Sequence, residues 1–258
     1  MVSVVCVSWG GGSFGEYVVA KRNRVSLLGE IPEAEAATYG IAYMSAYESL
    51  FITADIRKHA GQTIFIPGGA GGVGHFAVQL AKAYGLRVIT SASKPEGLEL
   101  LRNLLADVVI DYSKQDVVVE VLTATAGRGV DLVYDATYVE SSMKQSAAVI
   151  AKGGQWLRLG TFMHDRPNLQ QELETIVNSR GGKLFIGDLA RYSMDPAYLS
   201  KVPLLAEGMR LGRQLYAERR VRPFVSATVP LEAGTLQQAL QDSQKGTVGK
   251  VVVKVQQK

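Results

Sequence analysis

Residues 63–74 read TIFIPGGAGGVG, and this stretch decides the fold class. Five of its last seven residues are glycine, and Gly69, Gly71 and Gly74 have the spacing of a GxGxxG motif. The apolar residues before the glycines predict a strand, and the apolar period after them predicts a helix. In that context the motif is typical of dinucleotide binding, because glycine permits a tight turn and a close backbone approach to a pyrophosphate. The alternative is a glycine-rich turn that binds no ligand.

Apolar residues recur with a helical period after the glycines. They are Val73, Phe76, Ala77, Leu80, Ala81 and Tyr84. Gly85 is expected to end this helix as a C′ glycine. The start of the helix would offer unpaired N–H groups and partial positive charge to phosphates. The candidate phosphate-binding residues are therefore Gly69, Gly71, Gly72, Val73 and Gly74.

Short apolar runs and helical periods alternate on both sides of the motif. The predicted strands lie at residues 63–67, 87–90, 108–111, 131–134 and 155–159, with helices between them. The helix after the second strand is expected to begin with a capping box at Ser93 and Glu96, with Pro95 in its first turn. Strands that alternate with helices form a parallel sheet covered on both faces. The fold class is α/β, a doubly wound parallel sheet.

The two ends of the chain have a different pattern. Strands are predicted at residues 1–7, 224–229 and 249–255, with a short helix near 231–241. We predict that residues 1–44 and 222–258 are two parts of one small β-rich domain. Residues 45–190 then form the inserted α/β domain, and 191–221 a helical return segment.

The end of the second strand bears on the choice of cofactor. An NAD site usually has a carboxylate here for the ribose 2′-hydroxyl, and this chain has none before Glu96. Ser91, Ser93 and Lys94 offer hydroxyls and a cation that suit a 2′-phosphate, which favours NADPH over NADH. Ser93 can equally be a helix cap and Lys94 a solvated surface residue.

Composition excludes several classes of protein. A chain of 258 residues with 47% hydrophobic and 20% charged residues is neither disordered nor collagen-like. Cys6 is the only cysteine, so a disulfide within the chain is excluded, as is a zinc site built on several cysteines. The charge of +4 is too small and too dispersed to indicate nucleic-acid binding. We expect no membrane span, no signal peptide and a cytoplasmic location, with a mitochondrial one as the alternative.

Several short motifs follow one another along the chain in a fixed order. They are residues 12–17 (GSFGEY), 37–40 (ATYG), 45–47 (SAY), 68–74 (GGAGGVG), 79–82 (QLAK), 106–112 (ADVVIDY), 129–135 (GVDLVYD) and 249–255 (GKVVVKV). In this order they resemble the medium-chain dehydrogenase/reductases, specifically the zinc-free quinone oxidoreductase branch that includes ζ-crystallin. The resemblance implies a Rossmann domain inserted in a partial GroES-like domain.

The resemblance also implies an activity and a set of binding residues. The activity is NADPH-dependent hydride transfer to a quinone or an activated alkene (enone), in a homodimer that pairs near residues 183–187. The implied cofactor residues, besides the glycine loop, are Ser91, Ser93, Lys94, Tyr112, Ser45, Thr137 and Gly160. For Ser45 the alternative is a helix-start residue, and for Thr137 and Gly160 it is an ordinary loop.

Zinc is not expected by the same resemblance, because Ile41 stands where the zinc-using relatives have a cysteine. No catalytic side chain is assigned. Tyr17 and Tyr47 are the nearest candidates for a hydroxyl that faces the cleft, and a buried structural role is the alternative for each. The three histidines, His59, His75 and His164, are interpreted as surface residues.

The sequence also departs from the family. Most of an N-terminal barrel is missing before Val2, which we interpret as a truncation, a gene-model error or a wall supplied by a partner. Leu105 and the pair Tyr138 and Val139 stand where glycines are usual, and Gly97 stands where a lysine is usual. These departures favour a second hypothesis, a catalytically inactive accessory subunit of a larger assembly that retains the nucleotide-binding fold.

Overall fold

The computed structural model describes residues 4–6, 25–27, 29–160 and 167–255. The chain divides into two compact units. One is the segment Ser45–Asp188, and the other combines Met1–Met44 with Leu189–Lys258. The predicted four-part domain division, with its helical return segment, stays a prediction.

The elements follow one another in a regular order. The strands are β1 (Val4–Cys6), β2 (Val25–Leu27), β3 (Thr63–Ile66), β4 (Arg87–Ala92), β5 (Val108–Asp111), β6 (Val130–Asp135), β7 (Ile150–Leu159), β8 (Lys183–Gly187), β9 (Val225–Pro230) and β10 (Lys250–Lys254). The α-helices are α1 (Glu33–Ala36), α2 (Met44–Tyr47), α3 (Gly74–Ala83), α4 (Pro95–Asn103), α5 (Val117–Ala124), α6 (Glu140–Val149), α7 (Pro167–Ser179), α8 (Arg191–Met194), α9 (Val202–Ala217) and α10 (Ala233–Gln244). Short π-helical segments lie at Tyr39–Tyr43 and Glu48–Thr53, and 3-10 segments at Ile56–Lys58 and Pro196–Lys201. No helix in the described ranges is both long and apolar enough to cross a membrane.

The unit Ser45–Asp188 contains a six-stranded sheet in the order β5-β4-β3-β6-β7-β8. Every neighbouring pair of strands in it is parallel. The order reverses between β3 and β6, which are neighbours although two strands separate them in sequence. This is the doubly wound α/β fold that the alternating pattern predicts. Ligands bind such sheets at the carboxyl ends of the strands, where the order reverses.

The centre of the sheet is buried on both faces. All four residues of β3 are buried, which agrees with a continuous apolar run in a covered parallel strand. One face packs on α5, α6 and α7 around a cluster that includes Phe65, Ile89, Val133, Trp156 and Leu173. A rigid, close-packed sheet holds the loops at its carboxyl edge in fixed positions.

Two helix ends test the sequence predictions. Gly85 follows α3 with a φ of +78°, so the predicted C′ glycine is confirmed. The predicted capping box is wrong, because Lys94 occupies the N-cap of α4 and makes no side-chain capping bond. Ser93 lies one residue too early to cap a helix that begins at Pro95.

The unit formed by the two chain ends has smaller sheets. β1 pairs with β2 in antiparallel register, and β10 pairs with β9 in parallel register. Within this unit, Tyr43 donates a hydrogen bond of 3.0 Å from its hydroxyl to the carbonyl of Gly208 in α9. Gly212 permits this close approach, since a Cβ placed on it would lie 2.9 Å from Cε1 of Tyr43.

Candidate functional site

The glycine loop leaves β3 in a backbone conformation that requires glycine. Gly68 has a φ of +61°, and its carbonyl accepts a hydrogen bond of 2.9 Å from the N–H of Gly71. At the start of α3, a Cβ placed on Gly74 would lie 2.6 Å from the Gly68 carbonyl oxygen and 2.7 Å from Cα of Gly69. Those are backbone atoms that cannot move aside, so the helix can approach the strand only if residue 74 is glycine.

The middle of the loop presents free hydrogen-bond donors. Gly71, Gly72 and Val73 are partly exposed, whereas Gly69 and Gly74 are buried. Within the described part of the chain, the N–H groups of Gly72 and Val73 donate to no acceptor. They precede the first turn of α3, where the helix dipole places partial positive charge. The arrangement suits an anionic ligand such as a pyrophosphate.

His75 supports the loop from inside the protein. Its side chain is fully buried, so the interpretation of His75 as a surface residue is wrong. Its Nδ1 lies 2.9 Å from the Gly71 carbonyl oxygen, which makes Nδ1 the protonated nitrogen because a carbonyl can only accept. This role could not be predicted from the sequence, since a lone histidine on a helix has no distinctive spacing. His59 is partly exposed, and His164 lies outside the described residues.

Ser91 also supports the loop. Its side chain is 2% exposed, and its hydroxyl accepts a hydrogen bond of 3.3 Å from the N–H of Gly68. Its carbonyl accepts another, of 3.1 Å, from the N–H of Gly69. Ser91 therefore holds the start of the loop in place, and Ser93 and Lys94 are the more exposed candidates at this strand end.

The ends of β4 and β5 bring the candidate adenosine residues together. Ala92 and Asp111 are register partners, and the N–H of Tyr112 donates to the Ala92 carbonyl at 3.1 Å. Tyr112 is half-exposed, Ser93 partly buried and Lys94 exposed. A cation, a hydroxyl and an aromatic ring thus lie at one corner of the carboxyl edge, although they are separated by almost 20 residues in sequence.

A buried carboxyl group organises the other side of the loop. Asp135, the last residue of β6, accepts hydrogen bonds from the N–H and hydroxyl of Thr137 at 2.9 and 2.7 Å. The hydroxyls of Ser142 and Ser146 in α6 donate to its second oxygen at 3.2 and 3.1 Å. Burial raises the pKa of Asp135, and these four hydrogen bonds oppose that shift.

Thr137 connects this group to the glycine loop. A Cβ placed on Gly68 would lie 3.1 Å from the methyl carbon of Thr137. The Thr137 hydroxyl donates its only proton to Asp135 and accepts from the N–H of Val139 at 3.3 Å, so it has no hydrogen left to donate to a ligand. Thr137 therefore borders the site with its methyl group.

Tyr138 and Gly160 complete this edge of the sheet. Tyr138 adopts a φ of +60°, a left-handed conformation that tyrosine rarely takes. Gly160, just after β7, has a φ of +145° and lies directly against the tyrosine ring. The large side chain of Tyr138 therefore packs against Gly160, the residue proposed to border the nicotinamide.

The remaining candidates lie in the helical segment before β3. Ser45 is buried as the second residue of α2, and π-helical turns adjoin both ends of α2, so the alternative of a helix-start residue does not hold. Tyr47 is buried and stacks on Phe51 with ring centres 4.9 Å apart, as expected for a structural tyrosine. Tyr17 lies outside the described residues.

The side chains available to bind a metal differ from the set that zinc requires. Ile41 is partly exposed and its hydrocarbon side chain cannot ligate zinc. In the described ranges, no group of three or more histidine, cysteine, aspartate or glutamate side chains is arranged to hold a metal ion. The side chains present do not fit a zinc centre there.

Comparison with known proteins gives a family match and several relatives. Residues 72–184 match the family model described as zinc-binding dehydrogenase. The trans-enoyl reductase pgmF of Aspergillus terreus is 35% identical over 153 residues, which cover 58% of this chain and 41% of that protein. A quinone oxidoreductase of Rattus norvegicus is 24% identical over 253 residues, which cover 97% of this chain and 71% of that protein.

A solved structure is similar over most of the chain. It is an alcohol dehydrogenase superfamily protein from Novosphingobium aromaticivorans, with a TM-score of 0.81 and 21% identity, covering 98% of this chain and 74% of that one. At this identity the likeness shows the fold alone. The chain spans only 7% and 41% of the length of the first curated relatives that it matches.

Proposed function

We propose that this chain belongs to the medium-chain dehydrogenase/reductases, in line with the match of residues 72–184 to the zinc-binding dehydrogenase model, and that it is an NADPH-dependent oxidoreductase that uses no zinc. The proposed acceptors are quinones and activated alkenes, in line with the names of the quinone oxidoreductase and enoyl reductase relatives. The observation that carries the proposal is the glycine loop at the reversal point of the sheet, with its unused N–H groups at the start of α3.

The loop and the helix start would hold the pyrophosphate. The N–H groups of Gly72 and Val73, which have no acceptor among the described residues, would donate to its oxygens, and the α3 dipole would add partial positive charge. His75 and Ser91 bind the backbone of Gly71 and Gly68 and so keep the loop in shape before the ligand arrives. Preorganised donors of this kind avoid the entropy cost of ordering a loop on binding.

The corner at Ser93, Lys94 and Tyr112 would hold the adenosine end. The ammonium group of Lys94 is exposed and can pair with a 2′-phosphate, and the half-exposed ring of Tyr112 offers a face for the adenine. Asp111, at the end of the neighbouring strand, accepts from Ser113 and pairs with Lys114, and these contacts compete with a ribose hydroxyl for its oxygens. These features favour NADPH over NADH.

Thr137 and Gly160 would border the nicotinamide, and Ser45 is proposed near its ring. When bound, the reduced nicotinamide supplies a hydride, and a proton from water completes the reduction of the acceptor. The protein side chains orient the reactants and exclude water from the hydride transfer itself, and the proton is taken up from solvent afterwards. We assign no side chain as an obligatory acid or base. A homodimer through the outer edge of β8 is proposed as the oligomeric form, since β8 is an edge strand of the six-stranded sheet.

One observation favours a second candidate function. The Tyr138 ring lies against Gly160, on the side of the site proposed for the nicotinamide. If the ring stays there, the chain would bind a nucleotide without turnover, as an accessory subunit. Both candidate functions predict that the chain binds a nucleotide. They differ only in whether the bound nucleotide is oxidised.

Titration with NADPH and NADH, followed by an NADPH-oxidation assay with a small quinone, tests both. We expect NADPH to bind more tightly than NADH and to be oxidised. Binding without oxidation of any quinone or enone would favour the accessory role, and failure to bind either nucleotide would refute the site itself.

Matched variants locate the binding. Gly72→Asp puts a side chain and a negative charge against the phosphates and should abolish binding. Gly234→Asp is the control, because Gly234 is exposed with nothing within 4 Å of its position and receives the same charge. Lys94→Ala should weaken NADPH binding roughly tenfold and leave NADH binding unchanged. Lys152→Ala, an exposed lysine at the opposite end of β7, should change neither.

A further inference from the structure

Arg158 is a buried cation without hydrogen-bond partners. It lies near the end of β7 and its side chain is 1% exposed. Among the described residues, none accepts a hydrogen bond from its Nε, Nη1 or Nη2 atoms. A guanidinium keeps its charge in proteins and carries five N–H donors, so burial without acceptors is costly. Such a group calls for a function or a ligand.

The nearest carboxylate in the sheet is already satisfied. Asp135 is the register partner of Arg158 on β6 and interacts with it electrostatically. All four hydrogen bonds described for its carboxyl group come from Thr137, Ser142 and Ser146. Asp135 thus offsets part of the charge of Arg158 and leaves its N–H groups without acceptors.

Glu174 on α7 is the second carboxylate that acts on Arg158. It also interacts with the guanidinium electrostatically, but its side chain is partly exposed and accepts a hydrogen bond of 2.9 Å from Gln170. No ion pair joins Glu174 to Arg158 in the part of the chain that the structure describes. The donors of Arg158 therefore remain available to another pair of oxygens.

The position of Arg158 places it beside the proposed substrate end of the site. It stands two residues before Gly160, and its register partner Asp135 stands two residues before Thr137. Tyr138, whose ring lies against Gly160, also interacts electrostatically with Arg158 and is itself 44% exposed. Tyr138 is thus a solvent-accessible side chain that lies against Gly160 and interacts electrostatically with the buried cation.

We infer that Arg158 binds an oxyanion, a carboxylate or a phosphate group, that enters beside Gly160 when the Tyr138 ring moves aside. The source favoured by its place at the nicotinamide end is an acidic acceptor, that is, an enone or quinone that carries a carboxylate. This inference rests on the proposed function, and it names the class of substrate for that site. A planar guanidinium matches a carboxylate with two parallel hydrogen bonds, which a neutral acceptor cannot provide.

The test compares β-acetylacrylate, an enone with a carboxylate, with its methyl ester. The wild-type protein should show a lower KM for the acid than for the ester with NADPH as donor. Arg158→Met should raise the KM for the acid roughly tenfold or more and change the KM for the ester much less, so that the preference for the acid is lost. Arg158→Lys, which keeps the charge but loses the planar fork, should retain part of the preference. Equal kinetics for acid and ester in the wild type would overturn the inference while leaving the proposed function standing.

A binding measurement separates the inference from turnover. Acetylacrylate should raise the thermal unfolding midpoint of the wild type and Arg158→Lys, and should not raise that of Arg158→Met. This shift is expected even if no acceptor is reduced, in which case only the proposed function fails. The affinity for NADPH in the same variants identifies the source of the oxyanion. Arg158→Met could lower the affinity for NADPH and leave the affinity for the acid unchanged. That result would show that Arg158 binds a cofactor phosphate and not the substrate, and it would overturn the assignment of an acidic acceptor.

Discussion

At the carboxyl edge of the sheet, the ring of Tyr138 fills the space that a side chain on residue 160 would need. A Cβ placed on Gly160 would lie 2.6 Å from Cε1 of Tyr138. The two residues come from the segments that follow different strands, β7 and β6. Both also have positive φ, so the contact depends on two unusual backbone conformations. Two features therefore favour glycine at position 160: the Tyr138 ring leaves no room for a side chain, and the backbone has a positive φ.

Gly160→Ala should lower the free energy of unfolding by about 1–3 kcal/mol, because the new methyl group displaces the ring and the φ of residue 160 suits only glycine. In a Tyr138→Ala background the ring is absent and the cost should fall by at least about 0.5 kcal/mol. Urea unfolding of the four proteins gives this coupling energy. An equal cost in both backgrounds would mean that the ring is not packed on Gly160 in solution.

Leu105 gives a second test of backbone strain. It follows α4 with a φ of +58°, where a helix-end glycine is usual, and its side chain is 73% exposed. Leu105→Gly should raise the free energy of unfolding by about 1 kcal/mol, because the left-handed conformation is strained only when a Cβ is present. Leu105→Ala keeps the Cβ and is the control, so it should give no gain. A gain of the same size in Leu105→Ala would point to the exposed leucine side chain as the cause.

The parts of the site that the sequence predicted are those that depend on local chain chemistry. The loop between β3 and α3 and the glycine at position 85 follow from turn and helix-end rules that operate within a few residues. The roles of His75 and Ser91 could not be read in the same way. Each of them binds the loop through tertiary contacts, and neither residue type has a distinctive spacing in the sequence.

The environment of Arg158 also could not be predicted from the sequence, because it depends on contacts between strands. The predicted strand at 155–159 reads QWLRL, and its pattern indicates a buried strand but not what a buried arginine does there. Only the register with β6 shows that Asp135 is its neighbour, and only the guanidinium atoms of Arg158, which have no acceptor among the described residues, show that the two side chains are not hydrogen-bonded. The capping-box prediction was wrong because the sequence does not define the first residue of a helix to within one position. The helix α4 begins one residue later than a cap at Ser93 requires.

Asp135 should make the stability of the protein depend on pH. Burial raises its pKa in the folded state above the unfolded value of about 3.9. Between those two values the folded state holds a proton that the unfolded state has lost, so the free energy of unfolding falls as pH rises through this window. In Asp135→Asn this contribution is absent. The difference between Asp135→Asn and wild type should therefore grow in favour of the variant from pH about 4 upward.

Chemical denaturation at a series of pH values measures that difference. Asp116→Asn is a useful control, since Asp116 is an exposed N-cap residue of α5 that accepts from Val119. Asparagine caps a helix as well as aspartate does, so this variant should keep the cap, and its stability relative to wild type should show no Asp135-like rise above pH about 4. A difference between Asp135→Asn and wild type that stays constant with pH would contradict the raised pKa.

Arg158→Met should leave the protein as stable as the wild type or stabilise it by up to about 4 kcal/mol, because a buried guanidinium without acceptors is replaced by an apolar chain of similar length. Arg158→Ala is the control for volume and should be less stable than Arg158→Met, since it leaves a cavity. The gain should be larger in an Asp135→Asn background, where Arg158 has lost the neighbouring carboxylate that offsets part of its charge. A loss of about 3–5 kcal/mol in Arg158→Met is the cost of breaking a buried ion pair, and it would show that Arg158 has a protein partner and is not available to a ligand.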